Sequence, residues 1–222
     1  MIRVSAFRWV PPFARGLVRD LRVRWALEEA GLPYEERLIG PEDQTSDSYR
    51  RLQPFGQVPA YEEDGLVLFE SGAIVLHVAE RSEALMPADR NARARVTAWM
   101  FAALNTMEPR IQNLVELDLF HAEEEWAKLR RPAAVEAARA RLANLAGWLD
   151  GRDHLEDRFT AADLLMTTVL RILRHTDLLQ ERPALVAYKE RCEARPAFAK
   201  ALASQMAAFA SSTTDRPVLI DL

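Results

Sequence analysis

The first part of the chain alternates short apolar runs with a longer segment of helical periodicity. Strands are predicted at Ile2–Phe7 and Tyr34–Ile39, and the helix between them is predicted to end near Ala30 and Gly31. Glycine suits the left-handed residue that often ends a helix, which supports this boundary. A hairpin and one more helix are predicted to follow. This order of elements predicts a βαβ unit extended by a hairpin.

After Pro87 the apolar positions follow a helical period almost throughout, and few glycines interrupt them. Helices are predicted at residues 89–122, 132–150, 161–175, 183–194 and 196–209. Mixed α/β structure followed by helices predicts two domains, residues 1–86 and residues 87–222, with a flexible tail from Ser211. A ligand site is expected where two such domains meet.

Composition and charge exclude several classes of function. The 222 residues include 29 basic and 33 acidic side chains without a block of like charge, which argues against a nucleic-acid surface. A single cysteine, Cys192, excludes an intrachain disulfide, and the four scattered histidines lack the spacing of metal ligands. No stretch approaches the roughly 20 apolar residues of a membrane span. The composition predicts a soluble, cytoplasmic protein without a membrane partner or a metal site.

The hairpin is predicted around Asp64 and Gly65, a dipeptide suited to the positive φ angles of a tight turn. Its strands are predicted at residues 58–61 and at Leu66–Phe69. Pro59 cannot donate to a sheet ladder and therefore belongs at a sheet edge or at a strand start.

Two features beside this hairpin suit the binding of a peptide. Val58, just before the proline, is predicted to keep its backbone N–H and C=O available for an extended ligand. Ser71 is predicted to be the N-cap of the next helix. Ile74, at the third helical position, cannot reach back as a capping-box acid would, so this helix start is predicted to keep N–H donors for an outside carboxylate.

A second local signal lies at Phe159–Leu164, whose sequence FTAADL predicts a helix start. Thr160 and Asp163 have the spacing of a capping box, and Phe159 and Leu164 have that of a hydrophobic staple. A structural role is predicted for Asp163, with catalysis as the alternative.

Four motifs in this order resemble those of the cytosolic glutathione transferases, in particular those of bacterial type. They are RWALEEAGLPYE at residues 24–35, QPFGQVP at residues 53–59, the pair Glu70 and Ser71, and FTAAD at residues 159–163. The resemblance covers nearly the whole chain. It implies a thioredoxin-like α/β N-terminal domain, an all-α C-terminal domain, a cis peptide bond before Pro59, glutathione as co-substrate, and a homodimer.

The resemblance also implies roles for individual residues. Val58 would pair its backbone with the cysteinyl part of glutathione, as one more strand at a sheet edge would. Glu70 and Ser71 would hold the ammonium and carboxylate of the γ-glutamyl end. Gln57 would reach the ligand backbone or its glycyl carboxylate. In the alternative interpretation, the serine and the preceding glutamate only start a helix.

Residues 7–20 depart from the family pattern. The family places a Tyr, Ser or Cys just after the first strand, where it contacts the glutathione sulfur, but this stretch contains no Tyr, Ser, Thr or Cys. The stretch is also longer than in the family. Trp9 is expected to line the pocket. Ser5 is the nearest hydroxyl, and the alternation of residues in its strand fits a buried side chain equally well.

Arginines are the candidates to replace the missing hydroxyl. Arg15, Arg19 and Arg22 recur at i, i+4 and i+7 and would form one basic stripe on a helix started by the two prolines at 11 and 12. The hypothesis is that Arg15 or Arg19, with the backbone N–H groups of residues 14–17, stabilises the glutathione thiolate. In the alternative, the stripe is a solvated face paired with nearby acids.

The second substrate is expected to contact the helix predicted at residues 89–122. Trp99, Phe101 and Arg110 are candidates for that wall, although aromatic residues at helical spacing more often belong to a core. The predicted activity is conjugation of the glutathione thiolate to small, mostly apolar electrophiles. The alternatives are a glutathione-dependent reductase of disulfides or peroxides, and a glutathione-binding module without catalysis.

Overall fold

The structure is a computed structural model that describes residues 1–210. Its described residues divide into two compact units, residues 1–85 together with residues 195–210, and residues 86–194. The last predicted helix, which was expected in the second domain, lies in the first unit. The tail predicted to be flexible lies outside the described residues.

The first unit contains a four-stranded mixed sheet with the strand order β2–β1–β3–β4. Its strands are β1 (Ile2–Phe7), β2 (Tyr34–Ile39), β3 (Ala60–Glu63) and β4 (Leu66–Phe69). β1 and β2 run parallel, whereas β3 is antiparallel to both β1 and β4. The sheet and its helices confirm the predicted α/β fold class of the N-terminal part.

The predicted hairpin turn is confirmed, because Asp64 and Gly65 both have positive φ angles, 48° and 89°. β3 begins at Ala60, two residues later than predicted. Pro59 has no N–H for the ladder, which is consistent with this later start. The peptide bond between Val58 and Pro59 is cis, as the family resemblance implied.

Four helices belong to the first 85 residues. They are α1 (Asp20–Ala30), α2 (Pro41–Gln44), α3 (Asp47–Arg50) and α4 (Ser71–Ala79). Gly31 ends α1 in the left-handed conformation with φ of 66°, as predicted. The one-turn helices α2 and α3 were not predicted, because they are too short to show a periodic pattern.

The last helix, α10 (Pro196–Ala210), packs on α1. Arg195 makes a bidentate ion pair with Glu29, with N–O distances of 2.6 and 2.8 Å. The rings of Trp25 and Phe198 lie 4.7 Å apart between centroids. These contacts explain why α10 belongs to the first unit, although the chain reaches it only after the whole second unit.

The second unit is helical. Its helices are α5 (Arg90–Phe101), α6 (Glu108–Val115), α7 (Glu125–Trp148), α8 (Ala161–Arg171) and α9 (Pro183–Glu193). α7 starts before the predicted residue 132 and contains Pro132 in its interior. None of the helices formed by residues 1–210 is long and apolar enough to cross a membrane.

The helix predicted at residues 89–122 is interrupted by π-helical turns at Ala102–Met107 and Glu116–Phe120. Pro109 follows the first of these turns. Its nitrogen carries no hydrogen, and its ring crowds the carbonyl one turn earlier, so regular α-helical bonding fails at this point.

The start of α8 confirms the predicted capping box. The Thr160 N–H donates to Asp163 Oδ2 at 2.9 Å, and the Ala162 N–H donates to Thr160 Oγ1 at 3.3 Å. Asp163 is fully buried, and its Oδ1 accepts from the Leu155 N–H and the Tyr188 hydroxyl, both at 2.9 Å. These contacts support a structural role for Asp163.

Candidate functional site

The loop before β3 is held by buried amide side chains. Gln53 Oε1 accepts hydrogen bonds from the N–H groups of Phe55 and Gln57, at 2.7 and 3.2 Å. Gln44 Nε2 donates to the Gly56 carbonyl at 3.1 Å. Gly56 has φ of 69°, and a Cβ at this position would lie 2.6 Å from the Gln44 carbonyl oxygen. The loop therefore requires glycine here and has a defined conformation.

Two buried hydroxyl groups connect β1 to this loop. The Ala60 N–H donates to Ser5 Oγ at 2.7 Å, Ser5 Oγ lies 2.7 Å from the Tyr49 hydroxyl, and that hydroxyl donates to the Gln57 carbonyl at 2.6 Å. Burial raises the pKa of Tyr49 to about 12, so the phenol keeps its proton for this bond. Ser5 is thus a buried side chain with its hydrogen bonds made, as one of the two interpretations predicted.

Val58 differs from its neighbours in the hydrogen bonding of its backbone. The N–H and C=O of Gln57 and the N–H of Ala60 are all bonded. Within residues 1–210, the N–H and C=O of Val58 have no hydrogen-bond partner. Its side chain is buried, so the residue is fixed while its backbone keeps one donor and one acceptor for an extended ligand.

The start of α4 differs from the prediction in one respect. Glu70 is the N-cap, with φ of 68° and ψ of 113°, and Ser71 is the first helical residue. The chain turns sharply at Glu70, so the helical conformation begins one residue earlier than a serine cap would allow. A positive φ is unfavourable for glutamate, and such conformations are concentrated at ligand-binding sites.

Several polar groups at this helix start have no hydrogen-bond partner in the described part of the chain. No hydrogen bond within the described part of the chain uses the N–H groups of Ser71, Gly72 and Ala73. The Glu70 carboxylate is exposed and has no partner among residues 1–210. A helix start with unfilled N–H groups attracts an anion, and a free carboxylate attracts a cation.

The register of the hairpin brings these groups together. Ala60 pairs with Phe69 as the last pair of the β3–β4 ladder. Val58 lies two residues before Ala60, and Ser71 lies two residues after Phe69. The open backbone of Val58 and the start of α4 therefore extend from the same end of the hairpin.

Arg22 is the residue of this region whose role the sequence analysis missed. It lies on α1, it is buried with 4% exposure, and its Nη1 donates to Ser71 Oγ at 3.2 Å. Its spacing from Arg15 and Arg19 predicted one helical stripe instead. The signal available in the sequence was an arginine placed between two apolar residues, Leu21 and Val23, near the start of a helix.

The predicted arginine stripe is wrong. α1 begins at Asp20, and Arg19 is its N-cap, so Arg15 lies outside the helix. A short 3₁₀ turn, Pro12–Ala14, precedes Arg15, whose Nε donates to the Val10 carbonyl at 3.4 Å. Tight turns, including Gly16 with φ of 75°, replace the helix that the prolines were expected to start.

The backbone donors predicted at residues 14–17 are also largely occupied. The N–H groups of Ala14, Arg15 and Leu17 donate to carbonyl groups of Pro11, Pro12 and Ala14, at 2.9, 3.4 and 3.0 Å. They are directed within the turn and not towards a ligand. Trp9, which was expected to line the pocket, is half-buried and packs against the buried cluster that contains Val58 and Tyr49.

The candidates for the second-substrate wall lie in the second unit. Trp99 is half-buried, and its ring lies 5.1 Å from that of Trp148 between centroids, which supports the packing alternative for this residue. Phe101 is 57% exposed, and Arg110 is also exposed. Trp99 and Phe101 lie on α5, whereas Arg110 lies on α6.

A mixed sheet with a cis-proline beside an open strand edge, followed by a helical unit, defines the class of thioredoxin-like proteins with an all-α C-terminal domain. Two family models give the particular family. "Glutathione S-transferase, N-terminal domain" matches residues 14–80, and "Glutathione S-transferase, C-terminal domain" matches residues 113–196. The chain belongs to the glutathione S-transferase family.

Similar proteins and similar solved structures support the same family assignment. The chain is 32% identical to glutathione S-transferase 3 of Zea mays over 209 residues, which cover 83% of this chain and 88% of that protein. It is 30% identical to a glutathione S-transferase of Silene vulgaris over 206 residues, covering 83% and 92%. A glutathione transferase of Burkholderia graminis, solved with two glutathione molecules per subunit, superposes with a TM-score of 0.80 at 26% identity, covering 91% and 88%. The protein is a transferase with glutathione as its co-substrate.

Proposed function

We propose that this protein binds glutathione at Val58, Glu70 and Ser71 and transfers the glutathione thiolate to small, apolar electrophiles. The observation that carries the proposal is a set of polar groups at one end of the β3–β4 hairpin that have no hydrogen-bond partner among residues 1–210. The backbone of Val58 matches the cysteinyl part of the ligand. Glu70 matches its ammonium group, and the start of α4 matches its carboxylate. The side chains of Gln57 and Trp9, with Pro59, complete the proposed site.

Calorimetry with glutathione tests the binding site. Replacing Ser71 with alanine is expected to weaken binding by about tenfold or more, because a hydrogen bond to a charged group contributes about 1.5–3 kcal/mol. Ser82→Ala, beyond the other end of α4, is the matched control and is expected to bind as the unaltered protein does. Equal affinities of the unaltered protein and Ser71→Ala would remove Ser71 from the site. No binding by the unaltered protein would refute the site as a whole.

Two observations favour a second candidate, the glutathione-dependent reduction of disulfides or peroxides. Residues 7–20 contain no Tyr, Ser, Thr or Cys to contact the sulfur, and the Burkholderia graminis relative holds two glutathione molecules per subunit. In such a reaction the thiolate of one glutathione attacks a disulfide sulfur and releases the other thiolate. A second glutathione then attacks the mixed disulfide, which yields glutathione disulfide and needs no protein cysteine.

Turnover of three substrates separates these activities. Conjugation predicts that an aryl halide is turned over faster than a mixed disulfide or cumene hydroperoxide, relative to the reactions without enzyme. Heat-inactivated protein is the control. Turnover restricted to the disulfide or the hydroperoxide would replace conjugation with reduction. Binding of glutathione without turnover of any of them would indicate a binding module.

We also propose a homodimer in the cytoplasm. An exposed apolar patch on the β4 edge supports this assembly, because Val67 and Phe69 point to one face of the strand and the ring of Phe55 lies 6.2 Å from that of Phe69. Phe55 is 68% exposed. Apolar patches of this kind on an edge strand usually mark protein–protein contacts.

A further inference from the structure

We propose that Arg22 is a positioning residue that makes the Ser71 hydroxyl a dedicated hydrogen-bond donor to the carboxylate of the ligand. The inference rests on the proposed glutathione site and deepens it, since it names the group that orients Ser71. Arg22 would act through Ser71, because its own side chain is almost fully buried.

The contact between the two side chains fixes the direction of hydrogen bonding. Arg22 Nη1 lies 3.2 Å from Ser71 Oγ, and both residues are at least 95% buried, with exposures of 4% and 5%. A guanidinium group has donors but no acceptor. Ser71 Oγ must therefore accept from Arg22, and the hydroxyl proton of Ser71 is left to donate to another group.

The surroundings of Ser71 suit a carboxylate as that acceptor. The N–H groups of Ser71, Gly72 and Ala73, which have no partner within residues 1–210, add further donors at the same helix start. The guanidinium group of Arg22 also places a positive charge one hydroxyl group away from the ligand. Charge-assisted donors select a carboxylate over a neutral group of similar shape.

This role differs measurably from a merely structural one. If Arg22 only held α1 against α4, its loss would weaken the binding of every ligand of the site to the same extent. If Arg22 orients Ser71, replacing Arg22 weakens the binding of ligands that carry the carboxylate more than the binding of ligands that lack it. A pair of ligands that differ only in this group therefore separates the two roles within each protein variant.

The test measures, by calorimetry, the affinities for glutathione and for its analogue in which the α-carboxylate of the γ-glutamyl residue is a primary carboxamide. In Arg22→Gln, the new amide oxygen can accept the Ser71 proton. The ratio of the affinities for glutathione and the analogue is then expected to fall by about tenfold, because one charge-assisted hydrogen bond is lost. Arg22→Lys keeps a charged donor without an acceptor, and its preference is expected to stay within about threefold of the unaltered protein.

Kinetics give a second readout. In Arg22→Gln, KM for glutathione is expected to rise by about tenfold while kcat at saturating glutathione stays within about twofold, since the lost contact binds ground state and transition state alike. Arg37→Gln is the matched control, because Arg37 is a partly exposed arginine of the same unit that pairs with Glu62 at 3.0 Å. Its ligand preference is expected to be unchanged.

The outcomes are separable. The inference would be overturned if Arg22→Gln weakened the binding of glutathione and of the carboxamide analogue to the same extent, so that the ratio of the two affinities stayed unchanged. If Arg22→Gln does not fold, the test rests on Arg22→Lys. Loss of the preference for glutathione over the carboxamide analogue in that variant would contradict the inference, because lysine, like arginine, donates hydrogen bonds but does not accept them. A retained preference would support the inference. Absence of binding by the unaltered protein would instead refute the proposed function.

Discussion

Replacement of Asp163 by alanine is expected to destabilise the second unit by about 3–5 kcal/mol, because it leaves several buried donors without an acceptor. The donors are the N–H groups of Leu155 and Thr160 and the hydroxyl of Tyr188, each at 2.9 Å from the carboxylate. Burial, followed by the charge of Asp163, raises the pKa of Tyr188 well above its ordinary value, so the phenol stays protonated as a donor. One carboxylate thus joins the start of α8 to the preceding loop and to α9.

Two smaller substitutions serve as controls. Tyr188→Phe removes one donor together with its bond and is expected to lower the free energy of unfolding by about 1 kcal/mol. Thr160→Ala removes the cap and is expected to have a similar effect of about 1 kcal/mol. Urea unfolding followed by circular dichroism measures all three. If Asp163→Ala were no more destabilising than Tyr188→Phe, the carboxylate would not be the centre of this network.

The elements that sequence predicted well depend on a few adjacent residues. Asp64 and Gly65 adopt the positive φ angles of a tight turn, Gly31 ends α1, and Thr160 with Asp163 forms the capping box. In each case the deciding chemistry lies within about one turn of chain, so the local pattern is sufficient. The open backbone of Val58 also follows from its place before a proline.

The errors concern residues whose environment comes from distant parts of the chain. The helical stripe of Arg15, Arg19 and Arg22 failed because the chain stays in tight turns until Asp20. The prediction of Ser71 as the N-cap is wrong, because the positive φ at Glu70 that starts the helix has no sequence signature. The actual partner of Ser71 is Arg22, 49 positions away in sequence, and no local pattern indicates such a contact.

The placement of α10 shows the same limit at the level of domains. Helical periodicity identified the helix closely but could not show which unit it packs on. The packing of α10 depends on polar contacts with α1. In one of them, Gln205 Nε2 donates to Asp20 Oδ1 at 2.7 Å, although the two residues are 185 positions apart in sequence. A boundary drawn from the change in element type alone therefore assigned the helix to the wrong unit.

These contacts belong to a buried ion-pair network in the first unit, and a second large effect is expected there. The side chains of Asp20 and Arg24 are each 1% exposed, and Arg24 Nε donates to Asp20 Oδ2 at 2.6 Å. Arg24 Nη1 also donates to Glu36 on β2 and, at 2.7 Å, to Ser204 on α10. Asp20→Ala is expected to lower the free energy of unfolding by about 3–5 kcal/mol, because it removes the fully buried carboxylate that pairs with Arg24 and leaves only the partly exposed Glu36 to balance the buried charge.

Joint replacement of the pair is expected to be much less destabilising than either single change. Burial raises the pKa of Asp20 although Arg24 opposes that shift, so the pair does not fully compensate the carboxylate for its lost hydration. Asp20→Leu with Arg24→Met removes both buried charges and fills the space with apolar atoms. Gln205 then keeps its bond to the Val18 carbonyl, at 3.1 Å. The free energy of unfolding of the double variant is expected to lie within about 2 kcal/mol of that of the unaltered protein.

Chemical unfolding of the two single variants and the double variant measures the coupling between the two side chains. Arg3→Ala is the matched control, because Arg3 and Glu35 form an exposed pair at 3.7 Å, and its effect is expected to stay below about 1 kcal/mol. A double variant as destabilised as the sum of its single changes would mean that the charges contribute independently. Strong non-additivity would instead show that the pair acts as a unit, and that most of each single effect arises from the buried charge left behind.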